Sequence, residues 1–235
     1  MKPVFSILGD SISTYFGYNP PCNLVFYTPE TAHTFGLRSV EDTWWMQVIR
    51  AFGGELCVND SYSGSTVAGQ YFPAGNHEAR TANLSTPQSE PNYVLLYMGV
   101  NDFGLRVPYS GEDVNSFATA YRTAVRRIHE SFPHAKIVCI TPMRALPPNC
   151  APAADAALAL PETETAVSFG KKPPMTRSGY FQAIREAAEA DYCILIDLAA
   201  LPKAYHSLDG LHPTRIGHEQ IARAVLERFL PPDAP

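Results

Sequence analysis

Two short stretches far apart in the chain carry side chains that together could break an ester bond. Ser11 lies in Leu8-Gly9-Asp10-Ser11-Ile12-Ser13, directly after the apolar run Val4 to Leu8. A buried strand that ends in Gly-Asp-Ser sets a small hydroxyl at the carboxyl edge of a sheet, where open α/β folds bind ligands. That hydroxyl is a weak nucleophile until a base takes its proton, and the base needs an acceptor on its second ring nitrogen to hold its tautomer. His212 and Asp209, in Asp209-Gly210-Leu211-His212-Pro213, supply such a pair within one turn that Gly210 lets fold sharply. Taken singly, a serine after a strand is a cap or turn former, and Asp-x-x-His is a surface turn.

Acyl transfer also requires donors aimed at the developing oxyanion, each worth about 3 kcal/mol. Three are expected at the same sheet edge: the Ser11 N–H, the Gly64 N–H in Asn59-Asp60-Ser61-Tyr62-Ser63-Gly64-Ser65, and the Asn101 side-chain amide in Gly99-Val100-Asn101-Asp102. Asp10 and Asp102 have no step of their own in such a scheme and are expected to hold their loops.

The elements that must position these groups follow from periodicity. Val4 to Leu8, Leu56 to Asn59, Tyr93 to Met98, Lys136 to Thr141 and Cys193 to Leu198 are short, near-continuous apolar runs. Such runs suit strands buried on both faces of a parallel sheet covered by helices. Thr43 is placed to cap a helix from Trp44 to Phe52 that stops at Gly53-Gly54, and Ser65 or Thr66 to start another. Helical spacing also marks Val114 to Phe132, with Arg122, Arg126 and Arg127 outward, then Ser178 or Gly179 to about Ala190, and a last helix after Pro213 or Thr214. Tyr15 to Val40 reads as an irregular loop, and His77 and Arg80 as part of a solvated surface. Ala145 to Pro174 reads as a long segment with a short helix from Ala151 to Leu160; loops of this length are commonly lids or binding loops.

Composition narrows the class. With 235 residues, 46% hydrophobic and 17% charged, the chain is expected to form one globular domain spanning 1–235. A net charge of -5 without a Lys/Arg block argues against nucleic acid. The N-terminus lacks the longer apolar region of a signal peptide, so a cytoplasmic location is expected, and no apolar run is long enough to span a bilayer. The cysteines, Cys22, Cys57, Cys139, Cys150 and Cys193, are odd in number and widely spaced, as reduced thiols are, with Cys57, Cys139 and Cys193 in apolar runs. A ligand-binding module on a flavodoxin-like sheet fits the same pattern of elements, but neither Gly-x-Gly-x-x-Gly nor Gly-x-x-x-x-Gly-Lys-[Ser/Thr] occurs. His-Glu-x-x-His is absent as well, which ranks metal catalysis low. Oligomeric state is not legible.

The chain resembles the SGNH hydrolases, also called GDSL-type esterases and lipases. Gly9 to Ser13, Asn59 to Gly64, Gly99 to Asp102 and Asp209 to Pro213 match that family's four blocks in order. Ile12 replaces the leucine of the name motif, and Ser61 stands where many members have glycine. The resemblance implies a three-layer α/β/α sandwich of flavodoxin-like type, with a five-stranded parallel sheet in the order 2-1-3-4-5. It also implies ester hydrolysis without cofactor or metal by Ser11, His212 and Asp209, with Ser11, Gly64 and Asn101 as the oxyanion hole. An acetyl or other short acyl ester on a carbohydrate or small molecule is the expected substrate, with Tyr15, Tyr18, Phe26, Tyr27, Trp44 and Trp45 as candidate flat faces for a sugar. Lysophospholipids and thioesters are the alternative.

Overall fold

All five apolar runs form strands, and all pair in parallel. In the computed structural model, which describes residues 2–146, 148 and 177–229, they are β1 (Val4–Gly9), β2 (Glu55–Ser61), β3 (Tyr93–Tyr97), β4 (Lys136–Thr141) and β5 (Ile194–Asp197). Their order is 2-1-3-4-5, as the resemblance implies. The chain connects away from β1 on both sides, so the carboxyl ends of β1, β2 and β3 border a crevice at the point where strand order reverses.

Seven helices accompany the sheet among the described residues: α1 (Pro29–Thr34), α2 (Trp44–Ala51), α3 (Glu78–Ala82), α4 (Val100–Gly104), α5 (Phe117–Ser131), α6 (Arg177–Ala190) and α7 (Arg215–Phe229). Alternation along β3 shows how they divide. Leu95 and Tyr97 face a core with Trp44, Val48 and Ile49 of α2 and Ile221 and Val225 of α7. Val94 and Leu96 face the opposite core, with Phe117, Tyr121 and Val125 of α5 and Ile184 of α6. Helices on both faces make the three-layer α/β/α sandwich. Thr43 caps α2 by accepting from the Met46 N–H, and the Trp44 N–H donates to His218 Nδ1 at 3.1 Å, joining α2 to α7.

Local chemistry accounts for the departures from the expected elements. Tyr15 to Val40 is not all loop: Thr28 caps α1, with Pro29 in its first turn where a missing N–H costs nothing. No helix begins at Ser65 or Thr66, because the Val67 and Ala68 N–H groups donate to Asp102 and the Gly75 and Asn76 N–H groups turn back to Thr66 and Val67 carbonyls. Arg80 is the largest correction. Expected on a solvated surface, it is fully buried in α3. Cys139 is buried and Cys57 and Cys193 are partly so; these three and Cys22 are free. Cys150 and the Ala151 to Leu160 helix lie outside the described residues, as does nearly all of Ala145 to Pro174. No helix among the described residues is long and apolar enough to cross a membrane.

Candidate active site

β1 ends at Gly9, and the chain turns at once into a single 3-10 turn, Ser11–Ser13. Asp10 caps it: its Oδ1 accepts from the Ile12 N–H at 3.0 Å and its carbonyl from the Ser13 N–H at 3.1 Å. Gly9 is required by close approach, since a Cβ there would lie 2.6 Å from Ser61 Oγ and 2.7 Å from Ser13 Cβ. Below the turn, Asn59 Nδ2 donates to the Ser13 carbonyl at 2.8 Å and Trp44 Nε1 to Ser13 Oγ at 3.1 Å. Ser61 spends its hydroxyl on Asn59 Oδ1 at 2.6 Å, so the residue that departs from the expected glycine is taken up in the same scaffold.

The Asp209-to-His212 turn is organised around one carboxylate. Asp209 Oδ1 accepts from Ser207 Oγ at 2.9 Å, the Leu211 N–H at 2.9 Å and the His212 N–H at 2.7 Å. That leaves Oδ2 for His212 Nδ1, 2.6 Å away. With its Nδ1 proton held there, His212 presents Nε2 as an acceptor, and Nε2 lies 2.9 Å from Ser11 Oγ. Burial raises Asp209, but the hydrogen bonds from the His212 side chain and from the His212 and Leu211 N–H groups outweigh it and hold the carboxyl below its ordinary value. Burial also dominates at His212 and lowers it below 6.5, partly opposed by Asp209.

The three expected oxyanion donors, the Ser11 N–H, the Gly64 N–H and the Asn101 amide, lie on segments that follow β1, β2 and β3. Asn101, in α4 behind β3, gives one side-chain N–H to the Ser65 carbonyl at 2.9 Å, which fixes the amide and leaves its second N–H for a ligand. No described residue accepts from the Ser11 or Gly64 N–H. Gly64 has φ +80°, a conformation that side chains disfavour, and the loop carrying it is tied to α4 through Asp102, which accepts from the Val67 and Ala68 N–H groups at 2.8 and 2.9 Å.

Beneath the serine, Asp10 and Asp102 are both buried carboxyls. Burial pushes Asp10 up to about 7, with the Asp102 charge adding to the rise and the Ile12 N–H and Arg80 opposing it; burial likewise pushes Asp102 to about 6. A raised carboxyl keeps, between pH 3.8 and about 7, a proton that the unfolded chain releases, so Asp10 costs stability as pH rises through that window. Asp10→Asn cannot ionise yet still accepts from Ile12. Its melting temperature relative to wild type should therefore be higher at pH 8 than at pH 5; a difference independent of pH would show that Asp10 does not titrate there.

Sequence reasoning put Arg80 on a solvated surface and Phe26 among candidate sugar faces; the structure buries the first and sets the second against His212. Arg80 Nη2 donates to the carbonyls of Gly9 at 2.9 Å and Asp60 at 2.6 Å, and Nη1 to that of Pro73 at 2.5 Å. Its Nε makes a charge contact at 3.2 Å with Asp60 Oδ1. No spacing signal marks an arginine that bonds carbonyls at the ends of two strands and in one loop. Of the aromatic residues considered for sugar binding, Tyr27, Trp44 and Trp45 are wholly buried, Tyr18 is exposed, and Phe26 lies against His212. Among the described residues no group of three or more His, Cys, Asp or Glu side chains could hold a metal ion.

A family model described as GDSL-like lipase/acylhydrolase matches residues 3–153. No curated protein matches significantly. A Bacteroides uniformis structure described as that of a GDSL-like lipase is similar at 25% identity and TM-score 0.64, covering 96% of this chain and 94% of its own. A Bacteroides ovatus structure of the same description is 20% identical at TM-score 0.66, covering 97% and 98%. A carbohydrate acetylesterase family member from Sinorhizobium meliloti is 15% identical at TM-score 0.58, covering 97% of each chain, a likeness of fold.

Proposed function

The chain belongs to the GDSL-like lipase/acylhydrolase family, a family of hydrolases acting on esters, and from that premise we propose that it is a serine esterase with Ser11 as nucleophile. The relay from Asp209 through His212 to Ser11, with its 2.6 and 2.9 Å spacings, carries the reading. Ser11 Oγ attacks the acyl carbon while His212 Nε2 takes the hydroxyl proton and Asp209 steadies the imidazolium. The oxyanion is met by the Ser11 and Gly64 N–H groups and the free N–H of Asn101. As the tetrahedral intermediate collapses, His212 protonates the departing alcohol and the acyl group stays on Ser11. Water, deprotonated by His212, then releases the acid and restores the serine. Mapping a fluorophosphonate adduct by mass spectrometry tests the assignment: the label belongs on Ser11, and a label elsewhere, or none, refutes it.

Histidine must be neutral to act as base, so activity rises with pH through the His212 pKa. Because burial lowers that value, the acid limb of kcat/KM for a chromogenic acetyl ester should lie below pH 6.5. A limb above 6.5, or flat activity into acid, would count against a buried histidine base.

A short acyl ester of a carbohydrate or other small molecule is the favoured substrate, supported by the fold shared with the Sinorhizobium meliloti acetylesterase family member. Lysophospholipids or thioesters form the second reading. Leu24 is 60% exposed, with its carbonyl bonded to the Ser63 N–H beside Gly64, and Leu208, next to Asp209, is 45% exposed. Both exposed apolar residues lie on segments that carry site residues. A rate maximum at acetyl or propionyl esters supports the first reading, and one at long chains the second.

A further inference from the structure

His212 has a neighbour that the relay does not include. The Phe26 ring lies flat on the imidazole, centroids 3.5 Å apart and planes 9° from parallel. Aromatic rings left to themselves prefer offset or edge-to-face contact. A near-eclipsed stack is therefore imposed by its surroundings, and the hydrogen bonds around Phe26 show how. Its N–H donates to Thr14 Oγ1 at 2.9 Å, and that same hydroxyl donates to the Ser11 carbonyl at 2.9 Å. Its carbonyl accepts from the Thr28 N–H at 2.9 Å and from the Thr31 hydroxyl. Beside it, Phe35 meets the Phe26 ring edge-on at 5.3 Å and the His212 ring edge-on at 6.4 Å, and Tyr27 Oη donates to the Pro213 carbonyl at 2.6 Å, one residue beyond the histidine. These bonds fix the backbone that carries the ring, and through the Thr14 hydroxyl they tie it to the carbonyl of Ser11.

Resting on the reading of Ser11 and His212 above, we propose that Phe26 is a positioning residue of the hydrolysis: its flat face confines the imidazole to the plane in which Nδ1 meets Asp209 and Nε2 meets Ser11. The terminal torsion of a histidine side chain is broad. The Asp209 bond anchors one ring atom but leaves the ring free to swing about that anchor. A swing moves Nε2 away from Ser11 Oγ, and proton transfer depends steeply on that separation. The wall also faces the imidazolium that forms during attack with the negative face of its π-system, which favours the charged ring.

Phe26→Leu keeps an apolar side chain but loses the flat face, whereas Phe26→Tyr keeps it. The test measures kcat and KM on p-nitrophenyl acetate, the rate of fluorophosphonate labelling and the melting temperature for both variants and wild type. In Phe26→Leu, kcat and the labelling rate should fall about tenfold with KM within about twofold, and Phe26→Tyr should stay within about twofold of wild type throughout. An unchanged Phe26→Leu, or equal losses in both variants, overturns the proposal while a labelled wild-type Ser11 leaves the serine reading standing. A wild type that hydrolyses the ester without label on Ser11 overturns the serine reading, and this proposal with it. One arm needs no variant: ring current from Phe26 should move the His212 ring protons upfield in the wild-type NMR spectrum, and ordinary shifts there overturn the stack.

Discussion

Ser11→Ala should abolish turnover of a chromogenic acetyl ester, with a loss on the order of 10⁶-fold in kcat and no fluorophosphonate label. The size follows from what alanine removes and what it leaves. It removes the oxygen that forms the acyl bond, and with it the 2.9 Å contact to His212 Nε2. It leaves the Ser11, Gly64 and Asn101 donors, which keep the residual catalysis that an oxyanion site gives to water attack. The fold should not notice the change, because the turn is held by Asp10 Oδ1, Asn59 Nδ2 and the Thr14 hydroxyl rather than by Ser11 Oγ. A melting temperature within about 2 °C of wild type is the expected control. Turnover above a hundredth of the wild-type rate in a well-folded Ser11→Ala protein would remove Ser11 as nucleophile.

The largest effect on stability is expected from Arg80→Ala. Arg80 and Asp60 are an ion pair with side-chain exposures of 0% and 3%, and removing one partner of such a pair costs about 3–5 kcal/mol because the other charge stays buried. Asp60 would keep only the amides of Asn23 and Asn83 as donors. The carbonyls of Gly9, Asp60 and Pro73 would each lose a donor inside the protein. For a chain of this length the loss corresponds to a fall in melting temperature on the order of 10 °C. Because Gly9 precedes Asp10 and Ser11, activity below the melting transition should fall as well. Arg80→Lys tests the geometry: one ammonium group cannot span the carbonyls of β1, β2 and the loop before α3, so it should recover only part of the stability. Wild-type melting behaviour in Arg80→Ala would show that the buried pair is not what joins β1, β2 and the loop before α3.

Arg80 also marks where sequence reasoning stops. The five strands were legible because a strand covered on both faces must be apolar at nearly every position, and α2 because Thr43 and Gly53 punctuate an apolar face that repeats with the helical period. Ser11, Asn101, Asp209 and His212 were legible for a different reason: each sits where a strand or turn ends in small polar residues, and that pattern is local. Arg80 has no such signature. An arginine in a stretch without periodicity looks like any exposed arginine, and only the approach of three carbonyls and Asp60 makes its burial tolerable. The helix expected from Ser65 was lost to the same kind of partner, Asp102, a carboxylate from α4 that outcompetes helical hydrogen bonds for the Val67 and Ala68 N–H groups.

By itself the sequence determined the class of the fold, the strand order through the resemblance, and which side chains could serve as nucleophile, base, acid and oxyanion donors. These depend on residue type, period and short-range spacing, which a linear chain displays. Tertiary structure alone decided that Ser11 and His212 meet at 2.9 Å across a separation of 201 positions, that Trp44 and Trp45 are core, and that Phe26 faces the imidazole. Contacts of that kind depend on how loops from different strands pack at one sheet edge, and many loop conformations satisfy the same local preferences until the sheet has formed.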